Sequence, residues 1–396
     1  MTRQAILHLG MHKTGTTTLQ HRLAGYDDGE TRYLDLGYSN HSIPLKLAYL
    51  DEPPRGFYAS DDESDWPAER AAAREKIDAA LRAAAPASVI LSGEELSTFP
   101  PGLFRPKLMS HLRRHVSDIR AIGYVRDPSS FMASDFGQRV QAGFRQFRLS
   151  RLYPRYRFRF QGWVHVMRES GREAELTLYD PAAYPGGDVV ADFVARVGLD
   201  AERVPPTATY ANPSLTAEGA AVFYAWRHKD GPSPLRGAEQ QAQIDLVNLM
   251  YGFGRNPIRL APETLEHFLQ AHGDDLEWIQ ERIGRPFPPA KEGPVMFRDS
   301  DHIVSYAGSL GPELAEWLFE KGLEPVNKGR NVPALMRGAV LQILGVETSR
   351  ANRLRYRWDI YKRNREADRR ARADRLRREA ERAAAAAAQP ANSTGS

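Results

Sequence analysis

The string from Gln4 to Leu23 constrains this chain more than any other part of it. Ala5-Ile6-Leu7-His8-Leu9 is a short, nearly continuous apolar run, the pattern of a strand buried on both faces. Gly10-Met11-His12-Lys13-Thr14-Gly15 follows, and Thr16-Thr17-Thr18 opens a segment with Leu19 and Leu23 spaced four apart, ended at Gly25. The order is strand, glycine-containing loop, helix. Such a loop aims backbone N–H groups at one spot, and the helix dipole favours negative charge there. A chain that starts this way is expected to carry an anion site at the carboxyl edge of a sheet.

The same alternation continues. Ala68–Ala85 is rich in alanine and charge, with Ile77 and Leu81 on one face, and predicts an amphipathic helix ended by Pro86. Ser88–Ser92 predicts a strand with Gly93-Glu94-Glu95 at its exit, and Leu103–Val116 a helix. Ile119–Val125 predicts a strand leading into Arg126-Asp127-Pro128, where proline suits the first turn of the next helix. Gln161–Glu169 is expected to be helical, Leu176–Tyr179 a strand, and Val189–Val197 a helix closed by Gly198. Strands alternating with helices argue for a mainly parallel sheet covered on both faces, a three-layer α/β fold. From Leu215 to about Leu323 the patterns are helical, with no convincing strand.

Charge is unevenly spread. From Arg350 to the end there are 14 Arg and Lys against 6 Asp and Glu. The whole chain of 396 residues carries only +4, so its first 349 residues sum to −4. The basicity belongs to the tail, and a general affinity of the folded body for nucleic acid is not implied. Leu354, Trp358 and Tyr361 let the start of this segment dock, while Glu366/Arg370, Asp368/Arg372 and Asp374/Arg378 are i, i+4 pairs of an exposed helix. Residues 331–388 are thus expected to form a long basic helical extension, open to an anionic partner, and 389–396 to be disordered. There is no cysteine, which excludes disulfides, zinc–thiolate sites and a cysteine nucleophile. The run at 5–9 is too short for a signal peptide, and no apolar stretch of about 18 residues occurs. A cytoplasmic protein without a membrane span is the expectation.

The first loop has the glycine spacing of a P-loop, but Thr16 stands where a nucleotide triphosphatase has its lysine, and the lysine, Lys13, lies inside the loop. That suits phosphate-like oxygens better than a β,γ-phosphate with magnesium. His12-Lys13-Thr14-Gly15-Thr16-Thr17 resembles the 5′-phosphosulfate loop of the sulfotransferases that use 3′-phosphoadenosine 5′-phosphosulfate (PAPS), and Leu9–Thr17 resembles their bacterial branch in particular. Arg126, with Ser134 eight residues on, resembles that family's 3′-phosphate motif. Leu91-Ser92-Gly93-Glu94-Glu95-Leu96 resembles the place where the bacterial and glycan-modifying members carry a glutamate as general base, with Glu94 the better match and Glu95 its competitor.

The resemblance spans roughly residues 4–230, with sharp motifs only up to 134, and implies a P-loop-type sulfotransferase domain over 1–330. It implies PAPS as co-substrate and no metal. His12, Lys13, Thr14, Gly15, Thr16, Thr17, Arg126 and Ser134 would hold the nucleotide, Lys13 would stabilise the leaving phosphate, and Glu94 would take the acceptor's proton. The acceptor, a glycan, lipid or small molecule, would meet the helical region of about 215–325. Two other readings stay open: a P-loop kinase or hydrolase, and a polyanion-binding protein acting through the basic tail. Arginines 145, 148, 151, 155, 157 and 159 alternate with aromatic and leucine side chains, which fits either a basic wall for an anionic acceptor or a solvated stretch with its aromatics turned inward.

Overall fold

The computed structural model describes residues 3–52, 65–99, 102, 104–206, 214–230, 238–325 and 331–345, with Arg365, Arg369, Ala373 and Arg377 further on. Apart from those four residues, the expected basic helix of 350–388 and the tail lie outside the described residues. The chain forms two compact units: Met1–Gln138 with Arg148–Ser214 and Asn256–Asp299, and Arg139–Phe147 with Leu215–Arg255 and the chain from Ser300.

The first unit is built on β1 (Gln4–Leu9), α1 (Thr16–Leu23), β2 (Thr31–Tyr33), α2 (Ser42–Tyr49), α3 (Trp66–Ala83), β3 (Ser88–Gly93), α4 (Phe104–Leu112), β4 (Asp118–Val125) and α5 (Pro128–Gln141). It continues through α6 (Leu149–Leu152), α7 (Tyr156–Glu169), β5 (Glu175–Leu178) and α8 (Val189–Val197). The sheet order is β2-β3-β1-β4-β5 and every pairing is parallel. The sequence pattern led to a mainly parallel sheet; the described one is parallel throughout. Of the five described strands, only β2, three residues long, has no counterpart in the sequence reading, and the helices α2 and α6 have none either.

A strand with neighbours on both sides and helices on both faces is expected to be mostly apolar, and β1 is apolar from Ala5 to Leu9 apart from His8. Ile6, Ile90, Ile122 and Tyr124 pack with Leu19 and Leu23 of α1 and with Val190, Phe193 and Val194 of α8. On the opposite face Gly123 lies against Phe160 of α7, and the Trp163 indole donates to the Leu96 carbonyl at 2.8 Å. Each such side chain, fully removed from water, contributes roughly 1.5–3 kcal/mol. His8 is buried in the strand, shares a 2.8 Å hydrogen bond with Ser92, and is pushed down to about 4 by burial, so it is a neutral core histidine.

The last part of the first unit comes from far along the chain: α11 (Pro262–Gln270) and α12 (Gly273–Ile283), which follow α9 (Ala217–Asp230) and α10 (Ala238–Met250) of the second unit. The Asp275 carboxylate of α12 accepts from the backbone N–H of Tyr156 and Arg157 and from the Tyr153 hydroxyl, at 2.9, 2.7 and 2.8 Å. It therefore caps α7, whose own N-cap residue Arg155 sits in the left-handed region and offers no side-chain bond. The arginine-rich stretch resolves along the same lines. Leu152, Tyr153, Tyr156 and Phe160 turn inward while Arg148, Arg151, Arg155 and Arg157 face solvent.

The second unit is helical: α9 and α10, α13 (Ser300–Ser309), α14 (Gly311–Glu320) and α15 (Val332–Ile343). α9 is buried on every side from Ala217 to Arg227. Its Arg227 is buried against the rings of Phe223 and Trp226 and donates to the Gln141 carbonyl at 3.0 Å. No helix of the described residues is long and apolar enough to cross a membrane.

The register of β1 brings Leu9 opposite Gly93 on one side and Gly123 on the other, so the loops after β1, β3 and β4 leave the sheet side by side. The approach is tight. A Cβ on Gly10 would stand 2.6 Å from the Glu94 Cα and 2.8 Å from the Gly93 carbonyl oxygen, both backbone atoms. Gly10→Ala is expected to lower the unfolding free energy by about 1–3 kcal/mol, read as a reduced urea midpoint at unchanged m-value.

Candidate functional site

The site grows from three strand ends. After β1 the chain turns through Lys13 at φ 67° and Gly15 at φ 74°, both left-handed. A non-glycine residue held there costs energy on the order of 1–3 kcal/mol and signals a loop whose shape is fixed by its surroundings. Gly15 has a second reason to lack a side chain, since a Cβ would meet Val189 of α8 at 2.7 Å. Gly15 is also the N-cap of α1 and supplies no side-chain acceptor, so the N–H groups of Thr16, Thr17 and Thr18 have no partner within the helix.

The threonine hydroxyls divide the work. Thr14 Oγ1 donates to the Met11 carbonyl at 2.7 Å, and Thr16 Oγ1 reaches the same carbonyl at 3.3 Å. Both side chains are buried. Both were expected among the nucleotide-holding residues; in the fold their hydroxyls brace the loop from inside, and its backbone N–H groups are left as the donors. Thr17 is half-buried in the first turn of α1.

Glu94, first residue after β3, accepts from His12 Nδ1 at 2.9 Å. That hydrogen bond, followed by the nearby His12 and Lys13 charges, holds the Glu94 carboxyl below the usual carboxylate range against the opposing effect of burial. Lys13 is lowered by burial, supported by Glu94 and opposed by Arg126. Glu95 is engaged elsewhere, in an ion pair with Lys46 of α2. Of the two adjacent glutamates, Glu94 is the one that meets the loop.

Arg126, first residue after β4, donates from Nη1 to the Lys13 carbonyl at 2.8 Å and from Nε to Ser130 Oγ at 3.0 Å. Burial lowers its pKa. Its backbone carbonyl accepts from the buried Tyr156 hydroxyl at 2.7 Å. The serine beside Arg126 is thus Ser130, not Ser134. At 1.5 Å per residue Ser134 lies roughly 6 Å further along the same face of α5, half-buried. Asp127 caps α5, accepting from the Ser130 N–H at 2.9 Å and the Ser129 hydroxyl at 2.6 Å.

Two residues that sequence reasoning missed complete the basic end. A small cavity is lined by Ser129, Ser130, Ala133, Arg259, Leu260, Ala290 and Lys291. Arg259 acts on Arg126 as a like charge, and its Nε is buried with no hydrogen-bond partner among the described residues. Arg259 and Lys291 bring two cations to this end, with the Arg259 Nε–H left to donate, while the Ser129 and Ser130 hydroxyls both donate to Asp127. No local motif marks Arg259 or Lys291; they arrive with the returning segment 256–299. Tyr179, just past β5, also lies here, its hydroxyl 3.8 Å from the position a Gly15 Cβ would take.

The described site therefore gathers His12, Lys13, Gly15, Thr16, Thr17, Glu94 and Arg126 at the carboxyl edge of three adjacent strands, where ligands of open parallel sheets bind. Comparison with models of known protein families, with curated proteins and with solved structures finds no match to this chain.

Removing the imidazole removes the largest influence that depresses Glu94. In His12→Ala the Glu94 titration, followed by carbon-13 carboxyl NMR, is expected to move upward; an unmoved or lower value contradicts the pairing.

Proposed function

We propose that this protein is a PAPS-dependent sulfotransferase of P-loop type, moving a sulfuryl group to a hydroxyl or amine. The observation that carries the reading is the convergence of Lys13, Glu94 and Arg126 on one loop, with the Arg259 guanidinium near Arg126. The two ends match the two anionic ends of the nucleotide. The loop N–H groups and Lys13 would take the 5′-phosphosulfate, and Arg126 with Ser134, joined by Arg259, the 3′-phosphate that distinguishes PAPS from ATP.

In the reaction the acceptor oxygen bonds to sulfur as the bond from sulfur to the bridging oxygen breaks. The electron pair stays on the departing phosphate of adenosine 3′,5′-bisphosphate, next to Lys13. The acceptor proton passes to Glu94. His12 holds that carboxylate ionised and aimed, and fixed charges in a partly dry site do most of the work, as in phosphoryl transfer. The resemblance to the bacterial branch and the arginine-rich stretch of 145–159 favour an acceptor of glycan or glycolipid type.

Calorimetry tests the cofactor first. Adenosine 3′,5′-bisphosphate is expected to bind without metal and to lose affinity in Arg126→Ala. No binding, or a preference for magnesium ATP, overturns the reading in favour of a kinase or hydrolase. Lys13→Ala is expected to reduce transfer by roughly 10²–10³-fold, as for loss of a group that stabilises developing charge. The pH profile follows from the two shifts. Glu94, depressed below 4.5, is a base throughout the neutral range, so activity falls only as pH drops through its folded value. Lys13, depressed below 10.5, loses its charge earlier than a free lysine and sets the alkaline limb.

A further inference from the structure

At the other end of the sheet three side chains meet in a way the site above does not use. Asp78 of α3 accepts at one oxygen, Oδ1, from His111 Nε2 at 2.8 Å and from His115 Nε2 at 2.6 Å. His111 belongs to α4, and the chain keeps turning beyond it, with the Val116 N–H bonded to the Leu112 carbonyl at 3.0 Å. The two histidines, four apart, therefore point the same way, the spacing by which a helical turn presents paired imidazoles to a metal. The three donor atoms all lie within 4.8 Å of one another.

The surroundings are those of a built site. His111 is buried and its Nδ1 meets the Tyr49 hydroxyl at 2.7 Å. With Nε2 protonated toward Asp78, Nδ1 accepts from Tyr49. With Nε2 bonded to a metal, Nδ1 carries the proton and donates to the same oxygen. Tyr49 can serve both tautomers, and an outer partner of this kind is what orients a ligating imidazole. The backbone is fixed as well: Arg3 donates to the carbonyls of His115, Leu81 and Ala87 at 2.9, 2.5 and 2.8 Å. His115 and Asp78 are partly open to solvent, so an ion can reach them from outside. Arg114 stands 3.9 Å from Asp78 on an exposed side chain that can swing aside.

We infer that Asp78, His111 and His115 form a divalent transition-metal site, of zinc class, that clamps α3 to α4. Two imidazoles and one carboxylate with a water in the fourth place make a tetrahedral set at about 2.0–2.2 Å. Such a set keeps donor atoms about 3.4 Å apart, so the present hydrogen-bonded triad opens by under an ångström when the ion replaces the shared protons. Hard oxygen-seeking ions such as magnesium are excluded by the nitrogen majority. The cluster sits beside the start of β1 and β4, about one strand length from the phosphate-like loop, so its role is structural and independent of the transfer reaction.

The test uses the full chain, untagged and stripped with chelator, titrated with Co²⁺ and Zn²⁺ against Mg²⁺. One Co²⁺ per chain with the visible bands of four-coordinate cobalt, displaced by Zn²⁺, and a raised Tm with Zn²⁺ but not Mg²⁺ are expected. Asp78→Asn and His115→Gln, checked for an unchanged circular dichroism spectrum, should abolish the bands, and Tyr49→Phe should weaken binding by roughly 10–100-fold. Absence of stoichiometric Co²⁺ binding overturns the inference, as does binding that His115→Gln leaves intact.

Discussion

Everything in the candidate site depends on β1 being paired in parallel on both sides. Because Leu9 is in register with Gly93 and with Gly123, three chain segments reach the same sheet edge at the same height. The close packing of Gly10 against the backbone of Glu94 then leaves little freedom in how the loop and the glutamate face each other. Arg126 ties the third segment in through the Lys13 carbonyl. Charges that would repel or wander in an open chain are held by backbone geometry, and their mutual influence follows from that placement rather than from chance side-chain contacts.

The electrostatics of the edge are balanced by design of position. Burial lowers two cations, Lys13 and Arg126; Arg126 lowers Lys13 further and Arg259 lowers Arg126 further. Glu94 offsets part of this for Lys13 and is itself steadied by His12. Such a cluster is costly without an anion and relaxed with one, the sense in which a binding site is prepared before its ligand comes.

Much of the first unit was legible in the sequence because local chemistry and fold agree there. The apolar runs at 4–9, 88–92 and 119–125 are too short for helices and are flanked by turn-forming residues, and all three are strands of the sheet. Gly198 closes α8 in the left-handed conformation that a glycine after a helix predicts. The motif residues Lys13, Glu94 and Arg126 were legible as strand-exit residues. Ser134 was read by its spacing from Arg126; the guanidinium itself meets Ser130 in the first turn of the next helix, a contact that spacing alone did not indicate. Arg259 and Lys291 could not be read at all. Their place is set by packing over a long stretch of chain, through contacts such as Asp275 with the start of α7, and no periodicity within a window of eighteen residues carries that information. The division of the helical half had the same cause: a pattern of apolar spacing says that a helix has a buried face, not which body buries it.

The late return of segment 256–299 has a consequence for how the molecule comes into being. The loop, Glu94 and Arg126 are all present once about a third of the chain has been made, whereas Arg259 and Lys291 emerge only after α9 and α10. Closing so large a loop is an entropic cost met at the end of assembly, so the basic end of the cleft is the last part to gain its shape. A ribosome-bound chain released before that segment would carry the loop, Glu94 and Arg126 without the two cations that the returning segment brings.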